Sequence, residues 1–456
     1  KTLQQEGYRF ITLDQYLGRP KAELMPPIPH GKAYYAMQAN LTLAELIYNF
    51  NHFVTALFIL FIILGIGRLI FMTILVIKER RHEKRLNVLA AQAQPDVMPK
   101  VAIIVPAYNE EMNAVASLEN LLRQDYPDFH IVFVDDGSKD STFERVTAAF
   151  HDNPKMTLLT KPNGGKASAL NYGIAHTTAD YVVCMDADTK LRPNAVSMLM
   201  RHFFVDQEGK VGAVAGNVKV GNQRNLLTRW QAIEYTTSQN FDRMAYSAIN
   251  AITVVPGAIG GFRKNAIEKA GGLTMDTLAE DCDLTIRILR VGYRVENEDE
   301  SVALTEAPEK LRQFIKQRTR WSFGIMQTFW KNRSALFNRK YKGLGMWALP
   351  NMLIFQFIIP TFSPIADVLM LIGLFSGNAG KVLLYYLIFL LVDASISIMA
   401  FLHEREKLWV LLLIIPQRLC YRWIMYVVLF KSYLKAIKGE LQSWGVLKRT
   451  GNVTNV

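Results

Sequence analysis

Apolar and polar positions divide this 456-residue chain into blocks with different periods. Residues 1–50 are mixed and polar. Residues 53–77 are nearly all apolar, and about 20 such residues span the hydrocarbon core of a bilayer, so a transmembrane helix is predicted. Arg68 interrupts it and requires a partner or a snorkelling route. Residues 78–98 are rich in lysine and arginine and read as a linker on the cytoplasmic side, which puts residues 1–50 outside. Between 99 and 304 the period alternates. "KVAIIVPA", "HIVFVDD", "MTLLT" and "YVVCMDAD" are short apolar runs that predict strands. "EEMNAVASLENLLRQ", "DSTFERVTAAF" and "GKASALNYGIAHT" carry helical spacing, with Val115, Leu118, Leu121 and Leu122 on one side of the first. This alternation predicts an α/β, Rossmann-like domain with a largely parallel sheet. Ligands of such sheets sit beyond the carboxyl ends of the strands.

Residues 305–345 are basic and aromatic at helical spacing, as in amphipathic helices on a membrane surface. Three strongly apolar blocks follow, at 347–375, 381–402 and 408–430. Pro360 and Pro364 predict a break in the first. Arg418 and Arg422 stand near the middle of the third. Four full crossings from an outside N-terminus would leave the C-terminus outside, yet the tail 431–456 is basic and belongs inside. The expectation that resolves this is a re-entrant or interfacial 408–430 segment. Asp393, Ser395 and Ser397 either face a lumen or pack against neighbouring helices.

Composition narrows the class. Half of the residues are apolar, too many for an ordinary soluble enzyme and too few for an all-membrane protein. The net charge of +12 fits cytoplasmic membrane loops. No basic stripe with interleaved aromatics points to nucleic acid. Cys184, Cys282 and Cys420 are far apart, which supports neither a zinc site nor a disulfide framework. The chain opens on Lys1 without the features of a signal peptide and reads as the later part of a longer polypeptide.

The charged signatures gather where strands end. "VPAYNEE" brings Tyr108, Asn109 and Glu110 to the end of the first strand. "FVDDGSKD" brings Asp135 and Asp136 to the second. "MDADT" brings Asp186 and Asp188, two carboxylates at i and i+2 that can converge on a hard cation or one sugar edge. Each has a plain reading as a helix-start or solvated turn, but that reading would have to hold three times. "NGGKASALN" sets Lys166 at a helix start after two glycines; it fails the Walker A spacing, yet a lysine there helps neutralise a diphosphate. "LAEDCDL" offers Glu280, Asp281 and Asp283, candidates for a general base or merely an acidic helix start. In "QRTRW", Gln317, Arg320 and Trp321 fall at i, i+3 and i+4 and share a helical face.

Five of these signatures, "PAYNEE", "VDDGSKD", "MDADT", "AEDCD" and "QRTRW", stand in order just before a membrane block. Together they resemble the processive family 2 glycosyltransferases, the group of cellulose, chitin, hyaluronan and poly-N-acetylglucosamine synthases. The resemblance covers residues 99–330 and the flanking membrane segments. It implies a GT-A-type cytoplasmic catalytic domain flanked by transmembrane and interfacial helices, in a multi-pass protein of a bacterial-type plasma membrane. It implies that Tyr108, Glu110, Asp135 and Asp136 hold the uridine side of the donor. Lys166 and Asp186 would hold the nucleotide–sugar, and Asp188 with Asp186 would ligate Mg²⁺ or Mn²⁺. Asp281, with Glu280 beside it, would deprotonate the acceptor hydroxyl, giving inversion. Trp321 would stack on the acceptor sugar, with Arg320 and Gln317 bracing the diphosphate and the acceptor end. One position departs from the pattern: Ala279 stands where the family usually has threonine.

Within the family, "NAITVVPGAIGGFRKNAIEKAGG" and "GAVAGNVKV" are most similar to the synthases of poly-β-1,6-N-acetylglucosamine. The implied partners are UDP-N-acetylglucosamine, a growing polysaccharide acceptor, the lipid bilayer and a small membrane accessory subunit. A glucan synthase using UDP-glucose, a chitin- or hyaluronan-type synthase, a synthase of lipid-linked sugars and an inactive export scaffold are the alternatives. Residues 3–18, "LQQEGYRFITLDQYLG", resemble the final helix and strand of NodB-type polysaccharide deacetylases. That implies an upstream deacetylase outside the membrane, acting on an N-acetylated polymer.

Overall fold

The computed structural model describes residues 5, 7–26, 28–93, 95, 97–375 and 379–438. The chain divides into two units, Lys1–Leu64 and Gly65–Val456. In the first, Thr12 caps a short helix, Leu13–Leu17, in a capping box with Gln15, and Gly18 ends it at φ 62°. A second short helix spans Lys21–Leu24. Residues 8–12 form no strand, contrary to the deacetylase-like expectation. A strand needs a neighbour to pair with, and the described part of this unit holds none.

Helix α1 runs unbroken over Lys32–Gln92. The apolar block 53–77 is thus only its middle, and the expected linker at 78–98 is helical as far as Gln92. Lysine, arginine, glutamate and leucine are good helix formers, and Leu75, Val76 and Leu86 give this end a buried stripe.

The second unit is built on one eight-stranded sheet. Its strands are β1 (Val101–Ala107), β2 (Phe129–Asp135), β3 (Met156–Thr160), β4 (Tyr181–Cys184), β5 (Lys190–Leu191), β6 (Val211–Val220), β7 (Gly260–Arg263) and β8 (Arg294–Thr305). Their order is β3-β2-β1-β4-β7-β6-β8-β5. Strands β3, β2, β1 and β4 are mutually parallel, with Val101 opposite Phe129 and Ala107 opposite Asp135. Strand β7 is antiparallel to both neighbours, and β8 is parallel to β6. The parallel half follows from crossover helices α2 (Ala114–Leu121), α3 (Thr142–Phe150) and α4 (Lys166–Ala175). Buried on both faces, β1 is apolar throughout, as such strands must be. Ala114, Leu118 and Leu121 of α2 are buried, and Val115 and Leu122 pack at the edge of the same core.

Beyond the sheet come α5 (Ala195–Val205), α6 (Leu226–Glu234), α7 (Phe241–Ser247), α8 (Lys264–Lys269), α9 (Glu280–Arg290) and α10 (Leu311–Lys331). Among the described residues four helices are long and apolar enough to cross a membrane: Lys32–Gln92, Leu344–Leu374, Val382–His403 and Leu408–Lys438. The second contains no break at its prolines. Wide π-helical turns at Leu344–Ala348 and Met352–Ile358 lead into α11 (Ile359–Leu374), with Pro364 inside it. Such turns shift the hydrogen-bond ladder by one residue, which accommodates a ring that lacks an N–H.

The third is α12 (Ala379–His403), and the last forms α13 (Ile414–Lys438). The arginines of the apolar blocks are paired. Arg68 lies 2.7 Å from Asp242, Arg422 lies 3.3 Å from Asp367, and Arg418 pairs with Asp393. Ser395 and Ser397 donate to carbonyls of their own helix one turn back. Much of the tail, 439–456, lies outside the described residues.

Candidate active site

The carboxyl ends of the parallel strands and the starts of α4 and α9 converge on one cavity of about 860 Å³. Local sequence sets each wall. After β1, Asn109 takes a left-handed φ of 55°, and its side-chain oxygen accepts from the Lys139 N–H at 2.8 Å. Asparagine tolerates that conformation better than most residues. The neighbouring Glu110 N–H donates to Thr142 at 2.8 Å. Tyr108 and Glu110 are thereby held on the cavity wall.

After β2, Asp136 organises the glycine loop. Its carboxylate accepts from Gly164 N–H at 3.0 Å, from Gly165 N–H at 2.7 Å and from Lys161 Nζ at 2.7 Å. Gly137 cannot carry a side chain: its φ is 69°, and a Cβ would come within 2.9 Å of the Asn163 nitrogen. Asp136 reaches the cavity lining, whereas Asp135 lies behind it, accepting from Ser138 N–H and the Thr160 hydroxyl.

This loop delivers Lys166 to the first turn of α4. Its ammonium is 2.5 Å from Asp186 and 3.4 Å from Glu280. Burial works against its charge, but Asp186, Glu280 and Asp281 outweigh that and raise its pKa. Gly257, in "VVPGA", is required beside it, because a Cβ there would collide with the Lys166 ammonium. Asp186 and Asp188 both line the cavity, and Asp188 is only 4% exposed. Among the described residues no cluster of three or more His, Cys, Asp or Glu forms a complete metal cage. Two carboxylates beside a space for phosphate are instead the donor set that Mg²⁺-type ions use, with substrate oxygens completing the shell. Asp186 and Asp188 fit such an ion.

Asp281 sits in the first turn of α9 with Glu280 and Asp283. Burial first, and then the Glu280 charge, push its pKa up to about 6, against a lowering pull from Lys166. Asp283 has a different role: it is fully buried and bound to Arg287 at 2.7 Å and Lys331 at 3.0 Å. The Ala279 departure has a steric setting. Gly324 of α10 presses so closely that a Cβ on it would fall 2.8 Å from the Ala279 nitrogen. Leu278 N–H also donates to Gln327 at 3.0 Å, fastening α10 to the turn that carries the acid pair.

Helix α10 then presents Gln317, Arg320 and Trp321 to the same cavity, as their spacing requires. Glu280 and Asp281 join them there, and the cavity continues between helices to Phe389, Arg418, Arg422 and Tyr426. Sequence reasoning missed Gly257, Gly324 and Arg318. For Arg318 a signal existed, since it stands one turn before Trp321.

Residues 102–271 match the family model described as glycosyl transferase family 2. This segment is a family 2 glycosyltransferase domain. The chain is 31% identical over 229 residues to a poly-β-1,6-N-acetyl-D-glucosamine synthase of Staphylococcus aureus (strain COL), covering 50% of this chain and 55% of that protein. It is 28% identical over 258 residues to the enzyme of the same name from Staphylococcus epidermidis, covering 56% and 61%. The chain thus spans little more than half the length of the curated relatives it matches. Among solved structures it is similar to the mannosyltransferase PcManGT from Pyrobaculum calidifontis, with a TM-score of 0.52 and 23% identity over 81% of this chain and all of that one. That likeness shows a GT-A-like fold for the α/β core.

Proposed function

We propose that this chain is a membrane-bound, inverting glycosyltransferase that polymerises N-acetylglucosamine from UDP-N-acetylglucosamine into a β-linked polymer, with 1,6 linkage favoured by its relatives. The observation that carries the reading is the shared lining of one cavity by Lys166, Asp186, Asp188, Asp281, Gln317, Arg320 and Trp321.

Lys166 and the glycine loop receive the diphosphate at a helix start. A divalent cation held by Asp186 and Asp188 would offset charge on the leaving diphosphate; the mannosyltransferase of similar fold was solved with GDP-mannose and Mn²⁺. Asp281 takes the proton from the acceptor hydroxyl. That oxygen bonds to the anomeric carbon as the carbon–diphosphate bond breaks and its electron pair leaves with UDP. A single base and one displacement turn an α-linked donor into a β-linked product. A carboxyl raised to about 6 is a better base than an ordinary one and remains mostly ionised near neutral pH. Trp321 offers a flat ring for the acceptor sugar. The extension of the cavity between the apolar helices favours export through the membrane by the same chain.

The proposed sidedness puts the sheet on the cytoplasmic face and the N-terminus outside. Helix α13 supports an interfacial last segment. It packs along α10, with Ser432 donating to the Thr319 carbonyl, and it contacts α6 through Gln417 and Trp230. A C-terminal tag is expected to stay on the catalytic side in intact cells; labelling from outside would refute this. The deacetylase-like reading of residues 3–18 and the accessory subunit belong to the same proposal, tested by sequencing upstream of Lys1 and by co-purification.

Washed membranes given labelled UDP-N-acetylglucosamine or UDP-glucose with Mg²⁺ test the main reading. Polymer from the first donor, digestible by a β-1,6-specific hexosaminidase and absent after Asp281→Asn, is expected. Polymer from UDP-glucose only would overturn the substrate.

A further inference from the structure

Arg318 is the second residue of "QRTRW" and has no role in the reading above. It is 3% exposed. Its guanidinium lies 4.3 Å from the centre of the Trp321 ring, 5.2 Å from Phe314 and 5.7 Å from Tyr235. One nitrogen, Nη2, is 2.8 Å from the Glu234 carboxylate at the end of α6, and Tyr421 of α13 donates its hydroxyl to the same carboxylate. Among the described residues, Nε and Nη1 are buried without a hydrogen-bond partner.

This is a poorly satisfied cation, largely buried although it belongs to the cavity wall beside Trp321. A buried charge with one carboxylate costs stability compared with an apolar side chain of the same volume. Structural demand does not explain it, because Phe314, Tyr235 and Tyr421 already fill the surroundings. A planar guanidinium differs from an apolar filler in one respect: it stacks on an aromatic ring and fixes that ring's plane. The ring nearest the guanidinium, Trp321, lines the cavity. A stacking platform holds a sugar well only when its plane is already set, since otherwise ordering it is paid for on binding.

We infer that Arg318 is a positioning residue: clamped by Glu234 and Tyr421, it sets the plane of Trp321 for the acceptor glycan and ties that platform to the last apolar helix. The inference rests on the proposed function, because it takes Trp321 as the acceptor platform. It predicts that acceptor binding depends on Arg318 while donor binding does not.

The full chain, purified in lipid nanodiscs, is titrated by calorimetry with a β-1,6-linked N-acetylglucosamine hexasaccharide and, separately, with UDP. Arg318→Met is expected to weaken the hexasaccharide by about tenfold, in line with a desolvated cation–π contact, and to leave UDP affinity unchanged. Arg318→Lys keeps the charge without the plane and should recover part of the loss. Should Arg318→Met misfold, Glu234→Gln preserves shape and carries the test. If these variants bind the hexasaccharide like the unmodified chain while Trp321→Ala does not, the positioning role is overturned and the proposed function stands. A parallel fall in UDP affinity also overturns it, because the role is then structural. If Trp321→Ala binds the hexasaccharide normally, the acceptor platform itself is wrong, and both ideas fall.

Discussion

The sheet and the apolar helices use the same charged residues in opposite ways. Among the apolar helices three half-buried arginines each meet an aspartate: Arg68 with Asp242, Arg418 with Asp393, Arg422 with Asp367. In the cavity three carboxylates, Asp186 after β4 and Glu280 and Asp281 at the start of α9, gather around the ammonium of Lys166. The first arrangement is balanced charge for charge, even where Asp242, Arg418 and Arg422 reach the cavity wall. The second sets carboxylates side by side in a sheltered place: burial first, and then the Glu280 charge, raise the Asp281 pKa. Burial together with an uncompensated neighbouring carboxylate, rather than either alone, separates this site from a staple.

The sharpest way to break this comparison is Asp281→Asn. It removes surplus charge and the base together, so transfer should fall by about 10²–10⁴-fold, while UDP binding and thermal unfolding stay close to normal. Equal loss of folding would make Asp281 another staple.

The next effect belongs to the pairs. Arg68→Met strands Asp242 and should destabilise by about 3 kcal/mol, less for its partial exposure, whereas Arg68→Met with Asp242→Leu should return most of it. Thermal unfolding in detergent reads both; a double variant as weak as the single would show that the pair does more than neutralise.

Gly257→Ala probes the crowding directly. The added methyl must displace the Lys166 ammonium, a flexible end, so stability should hold while the donor KM rises about tenfold, as for one misplaced charged contact.

The smallest effects are in pH. As the proposed base Asp281 must be ionised, so kcat/KM should fall below about pH 6 and level off above it. His202, on α5 against β8, supplies the contrast. It sits between Glu296 at 2.9 Å and Glu298 at 3.0 Å. Burial opposes its charge, but the two carboxylates raise its pKa from 6.5 to about 9. A raised folded value stabilises fully below the unfolded pKa and is lost as pH climbs through the folded one. Tm should therefore decline from about pH 6.5 to 9 with activity per folded molecule unaffected, and His202→Gln should flatten the decline.

Much of this was legible along the chain because it depends on near neighbours. Apolar runs and their periods marked β1 to β4, α2 to α4 and the long apolar helices. The turn chemistry placed carboxylates at strand ends, and helical spacing put Gln317, Arg320 and Trp321 on one face. The partners were not legible. Asp242 lies 174 positions from Arg68, and Glu234 lies 84 from Arg318; no local period connects residues so far apart. Pro360 and Pro364 pointed to a break, yet both lie in the continuous helix α11, which follows directly on a π turn.

By itself, then, the sequence determined which segments become strands and helices and which ends carry acid, since those follow from one residue's fit to the next few. Only the tertiary structure decided which acids share a cavity and which are spent on a cation. It sent Asp281 to the site and the nearby Asp283 to Arg287 and Lys331. It spent Asp136 on the glycine loop and left Asp135 behind the wall. The physical reason is that a charge's state is set by everything within a few ångströms of it, and the fold draws those neighbours from all along the chain.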